Sequence, residues 1–292
     1  PRGKLIDLDV PRIGLLHSWI STQDPGWVRF ALDQSKVPYK IIEKSELRAG
    51  NLVQKYDVII SPSFGRRGSL KALISGIDRK WSPLAYTNTP KTPSHGKIVS
   101  SRDITGGFGF QGLASLQKFM NNGGTFVGLG SGGSLAVDSG IVRDISMSRP
   151  SINTPGSVIT MKIKNKRSPL TFGYDEITHA FRGNTPIYRV GKDDRNLVVA
   201  QFGTKAPSQR PWNRPKAKKK KGAKDPPLVL SGGILSGKSV LNGAPAILEK
   251  SVGNGRVILF GWNPMHRHLN HHDHAFVYNA LMFWNDLGGV KP

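Results

Sequence analysis

Arg12-Ile13-Gly14-Leu15-Leu16-His17-Ser18-Trp19 is a short apolar run that breaks into Asp24-Pro25-Gly26, the pattern of a buried strand ending in a turn. A helix is expected next. Trp27, Phe30, Ala31 and Leu32 recur at helical spacing, Pro25 stands where a helix start tolerates proline, and Pro38 marks a point the helix cannot pass. Residues 39–42 then read as a second strand, and Tyr56-Asp57-Val58-Ile59-Ile60-Ser61-Pro62 as a third. Strand, helix and strand with apolar strands throughout is the signature of a parallel sheet covered on both faces, so the fold class is α/β.

Downstream, residues 64–109 lose this pattern to Gly, Pro, Ser, Thr and Lys and are expected to be a long loop excursion over the sheet edge. Regularity returns with Leu113, Leu116, Phe119 and Met120 on one helical face and Asn122-Gly123-Gly124 as its stop. Thr125–Leu129 is then a strand that opens into Gly130-Ser131-Gly132-Gly133-Ser134. In an open parallel sheet ligands bind at the strand carboxyl ends, which makes this turn a candidate ligand site. The second half reads as short strands at 158–163, 187–190, 197–202 and 246–250. The last of these turns through Gly253-Asn254-Gly255 into residues 256–261 as a hairpin. A final helix carries Ala275, Phe276, Tyr278, Asn279, Leu281, Met282 and Trp284, with Gly288-Gly289 as its end.

Composition narrows the chemistry. The 292 residues include no cysteine, which excludes disulfides, thiolate metal sites and cysteine nucleophiles. Gly (34) and Pro (20) are frequent enough to predict many turns, and a helical bundle is disfavoured. No apolar run is long enough to span a membrane as a helix. The start, Pro1-Arg2-Gly3-Lys4-Leu5, lacks an initiator Met and a signal-peptide core, so a piece of a longer protein is expected. The formal charge of +23 points to acidic partners. Arg210, Arg214, Lys216, Lys218, Lys219, Lys220, Lys221 and Lys224 lie in a Pro-punctuated loop at about 203–227 with Trp212 among them, a candidate polyanion-binding segment. No helix-turn-helix, ribonucleoprotein or zinc-finger pattern accompanies the charge, which argues against specific nucleic-acid recognition.

The motifs Arg12–Trp19, Asp24-Pro25-Gly26-Trp27, Leu47-Arg48-Ala49-Gly50-Asn51-Leu52 before Tyr56–Ile60, Gly123-Gly124-Thr125-Phe126-Val127, Pro155-Gly156-Ser157 and Gly253–Gly261 form an ordered series. It resembles the C-terminal domain of secreted bacterial proteins of the carboxypeptidase A-like zinc peptidase family. That resemblance implies a single flavodoxin-like domain similar to class I glutamine amidotransferases, with its core at about 12–288 and an extracellular or periplasmic location. A zinc carboxypeptidase needs a His-x-x-Glu pair, and the sequence has none. An amidotransferase needs a cysteine after the strand Thr125–Leu129, where this sequence offers Ser131 or Ser134.

Three site readings follow. Ser131 or Ser134 with His266 or His268 as base would make a serine hydrolase, although the surrounding glycines fit the nucleophile-elbow pattern imperfectly and equally suit tight packing. His266, His268, His271, His272, Asp273 and His274 supply imidazole and carboxylate suited to zinc or another divalent transition metal. The alternative is a polar loop before the last helix, with Asp273 as its N-cap. Gly130, Ser131, Gly132, Gly133, Ser134 and Trp27, with Trp19 nearby, would line a ligand crevice, against the alternative of core packing. The sequence favours a non-catalytic accessory, binding or assembly domain that engages an acidic polymer, a cell-surface component, other subunits or copies of itself.

Overall fold

The computed structural model describes residues 9–65, 68–148, 152–205 and 225–285. Its elements in chain order are β1 (Ile13–Leu16), α1 (Gln23–Gln34), β2 (Lys40–Ile42), α2 (Lys44–Ala49), α3 (Leu52–Lys55), β3 (Val58–Ser61), α4 (Leu70–Ser75), α5 (Gly109–Asn121), β4 (Thr125–Leu129) and α6 (Ser134–Val137). There follow β5 (Ile145–Ser148), β6 (Ser157–Ile163), β7 (Ile177–Arg182), β8 (Ile187–Val190), β9 (Val198–Phe202), β10 (Val229–Ser231), α7 (Lys238–Leu241), β11 (Pro245–Val252), β12 (Gly255–Phe260) and α8 (His271–Met282).

The central sheet runs β10-β6-β9-β11-β12-β4-β3-β1-β2, with β7 added on β6. Its parallel block is β2-β1-β3-β4-β12. Numbered by their order along the chain, these five strands stand in the sequence 2-1-3-4-5, the flavodoxin-like arrangement expected. The β11–β12 hairpin turns the sheet antiparallel and the short strands of the second half extend it. β5 and β8 form a separate two-stranded sheet.

Alternation along the strands sends side chains to two cores. Ile13, Leu15, Val58, Ile60, Val127, Leu129, Ile258 and Phe260 pack with α1 and α8 on one face. Leu16, Ile42, Ile59, Phe126, Val257 and Leu259 pack with α2, α5 and α6 on the other. Both faces are therefore apolar, which is why β1, β3 and β4 read as continuous hydrophobic runs. Burial at this level, roughly 2 kcal/mol for each large aliphatic side chain, is the main force holding the layers together.

Two expectations are refined. The stretch 64–109 contains α4 and a 3₁₀ turn at Arg79–Trp81. It is tied to α2 by the Lys44 ammonium, which donates to the carbonyls of Asp103 and Thr105, and by Arg48 Nε, which donates to the Phe108 carbonyl at 3.1 Å. The final helix begins at His271, so Asp273 lies inside its first turn and the N-cap position belongs to Asn270. The expected stop at Gly288-Gly289 lies outside the described residues, and α8 ends at Met282.

Candidate functional site

Strands β1, β3, β4 and β12 run parallel, so the segments after each meet at one end of the sheet. After β4, Gly130–Gly133 winds into a 3₁₀ turn with Gly130 at φ 52°. A side chain at Gly132 would run into the carbonyl oxygens of Ser61 and Pro62, and one at Gly133 into the Tyr188 hydroxyl. Glycine is used here for close approach of backbone to backbone. Tyr188 Oη donates to the Gly130 carbonyl at 2.9 Å and Ser61 Oγ to the Gly132 carbonyl at 2.9 Å, which closes the turn from two sides.

Ser131 and Ser134 are both inside the protein, 1% and 0% exposed. Ser131 Oγ accepts from the Phe64 amide at 2.9 Å and lies 3.4 Å from Ser63 Oγ. Ser134 Oγ donates to the Gly68 carbonyl at 2.8 Å. A nucleophile elbow holds its hydroxyl out at the top of the sheet. Here both hydroxyls are spent on the β3–α4 connection.

The histidines after β12 are drawn elsewhere. His266 Nδ1 lies 3.4 Å from Asp24 Oδ1 of α1, and the ring stacks on Phe181. His268 meets Phe30 of α1 edge-on at 5.1 Å and packs with His271 (4.3 Å) and His274 (4.9 Å). Among the described residues no hydrogen bond joins Ser131 or Ser134 to a histidine. Arg267 and His268 both adopt φ 53°, a left-handed conformation that costs non-glycine residues and fixes how this turn leaves the sheet.

Of the six expected metal-binding side chains His266 is drawn to Asp24, and the other five divide into two groups. His268, His271 and His274 form the ring cluster, with His268 Nδ1 and His274 Nε2 buried and unbonded. Burial, then the neighbouring His268 and His271, holds His274 down to about 4, against 6.5 for a free imidazole. Asp273 is fully buried and accepts from the Phe181 amide (2.8 Å), Trp262 Nε1 (3.0 Å) and Asn270 Nδ2 (2.9 Å), with His272 Nδ1 at 3.3 Å. His272 Nε2 in turn meets Thr178 Oγ1 at 2.9 Å and its ring stacks on His179. Burial raises the Asp273 pKa against these donors. Its carboxylate staples the start of α8 to β7 and to Trp262. Among the described residues no group of three or more His, Asp or Glu side chains is arranged to hold a metal ion.

Trp27 and Trp19 are not brought together. Trp27 stands on α1 edge-on to Phe30. Trp19 follows β1, where it packs against His17 and Tyr86, and its Nε1 donates to Glu43 Oε1 at 3.2 Å. His95 stacks on Tyr86 at 4.3 Å and completes an aromatic row that the sequence did not signal, because Tyr86 and His95 sit in the irregular stretch. The basic residues Arg210, Arg214, Lys216, Lys218, Lys219, Lys220, Lys221 and Lys224 lie outside the described residues.

No helix is long and apolar enough to cross a membrane among the described residues. No family model matches the sequence, and no curated protein matches it. Similar solved structures do exist. A ThuA-like protein from Bacteroides uniformis has a TM-score of 0.50 at 12% identity, over 96% of this chain and 93% of its own. A cytoplasmic protein from Salmonella typhimurium has 0.50 at 11%, over 94% and 98%. A chain of the PurLQS structure from Thermotoga maritima has 0.50 at 13%, over 94% and 98%. At these identities the likeness is one of fold, and it supports the flavodoxin-like, class I amidotransferase-like fold for this chain.

Proposed function

We propose that this chain is a non-catalytic binding or assembly module on an amidotransferase-like scaffold. The observation that carries the reading is the burial of both serines at the position where the fold would present a nucleophile, each with its hydroxyl committed to the β3–α4 segment. A hydroxyl that substrate cannot reach and no base touches does not start acyl transfer. The partners are acidic, because a net charge of +23 favours association with anions. The ordered motifs from Arg12 to Gly261 favour a role as accessory domain of a secreted metallocarboxypeptidase-like protein, outside the cytoplasm.

Two measurements test this. A fluorophosphonate probe should leave the protein unlabelled, and labelling at Ser131 or Ser134 would reverse the reading. Retention on an acidic polysaccharide such as heparin should be strong at low salt and fall steadily as salt rises. Absence of retention at low salt would remove the acidic partner.

A further inference from the structure

A groove of about 820 Å³ lies between the small β5–β8 sheet and the antiparallel part of the central sheet. Its cations come from three segments: Lys164 after β6, Arg189 on β8 and Arg195 in the turn before β9. Ile187, Val190, Val198 and Val240 supply apolar surface, and among the described residues no carboxylate lines it.

The acids of this region are engaged elsewhere, and Asp193 and Asp194, which precede Arg195 in the chain, do not line the groove. Glu176 takes Lys162 and Lys166, Asp144 takes Lys250, and Glu249 takes Arg256. Among the described residues the Lys164 ammonium and the Arg189 and Arg195 guanidinium groups form no ion pair and no hydrogen bond. Three cations facing one concavity repel one another, and the repulsion is relieved by an anion shared between them. Two guanidinium groups offer planar forks suited to carboxylate or phosphate. The volume is that of a small-molecule pocket, and an apolar wall beside the charges suits a ligand with a hydrocarbon or ring portion.

We propose that this groove binds a small organic anion, a phosphate- or carboxylate-bearing molecule with an apolar body. The proposal deepens the reading of the chain as a binding module for acidic partners and rests on it. It assigns a defined site where that reading needs only diffuse charge.

The test is calorimetric titration of the full chain at low salt with naphthyl phosphate and naphthoate, with inorganic phosphate and naphthol as the fragments. At least one aryl anion should bind more tightly than both fragments, and the tighter of the two identifies the anionic group. Arg189→Ala and Arg195→Ala should each weaken that binding about tenfold, the loss of one charge-assisted contact. Lys91→Ala and Lys97→Ala, each of which removes one charge elsewhere, should leave it unchanged. Circular dichroism confirms that the exposed-site variants fold. Absence of aryl-anion binding would overturn the proposal. Equal affinity for inorganic phosphate, or an equal loss in the Lys91/Lys97 control, would do so as well. Heparin retention and fluorophosphonate labelling report separately on the parent reading, so a dead groove on a heparin-retaining, unlabelled protein would refute this site alone.

Discussion

Ser131 shows what the glycine turn does at the level of one side chain. Its Oγ is the acceptor for the Phe64 amide inside a buried site, so Ser131→Ala removes the partner of a group that water cannot reach. The expected cost is about 1–3 kcal/mol of stability, measured by denaturant unfolding, with no change in polyanion binding. Two buried histidines set a pH dependence. Burial, with Arg29 adding repulsion, holds His17 down to about 4, and His274 is held at about 4 by burial and its histidine neighbours. Both stay neutral in the fold while the unfolded chain takes up protons near 6.5. Stability is therefore full above 6.5 and is lost as pH falls towards about 4, where the native groups also begin to charge. His17→Gln or His274→Gln should flatten the fall of the melting temperature over that range. An unchanged slope would assign it to other groups.

At the level of elements, the parallel block was legible because β1, β3 and β4 are buried on both sides and carry uninterrupted apolar runs. The hairpin was legible from Gly253-Asn254-Gly255, whose residues connect β11 to β12 as expected. β5, β7 and β10 were not. Their burial is mixed, as in β7, where Ile177 is exposed and Ala180 buried, and the partners of β5 and β10 lie far along the chain. The start of α8 was hidden for a different reason. The sequence shows five histidines and an acid, which read as polar loop, whereas Asp273 is buried by donors on β7 and after β12 that only the tertiary fold supplies. The serine turn was located correctly by the strand before it. Its inaccessibility came from the β3–α4 segment, which carries no periodic signal. That packing makes a sharp prediction. Gly132→Ala places a methyl against the Ser61 and Pro62 carbonyls, so β3 and β4 must separate locally. A loss of about 1–3 kcal/mol in unfolding free energy is expected. A neutral result would mean that the turn is more loosely packed against β3.

At the scale of the whole molecule, the charge divides into two populations with different roles. Arg12, Lys162, Lys166 and Lys250 are paired to acids on the folded surface, where each exposed pair is worth at most about 1 kcal/mol, and Arg256 is paired to Glu249 in a more buried setting. The +23 charge is the excess of 42 Lys and Arg over 19 Asp and Glu, and eight of those cations belong to the segment from Arg210 to Lys224. Replacing Lys218, Lys219, Lys220 and Lys221 with alanine should leave the melting temperature unchanged, because a run of four lysines offers no apolar side chain for a core to bury. It should nevertheless weaken heparin binding about tenfold or more at low salt and reduce the slope of log affinity against log salt, since fewer counterions are released on binding. The aryl-anion affinity of the groove should survive the same change, because its cations are Lys164, Arg189 and Arg195, which the variant leaves in place. If the loop variant lost both affinities together, one diffuse basic field would account for all anion binding. If it lost heparin alone, the molecule would carry two separable anion-recognising devices, one set by charge density and one by the shape of the fold.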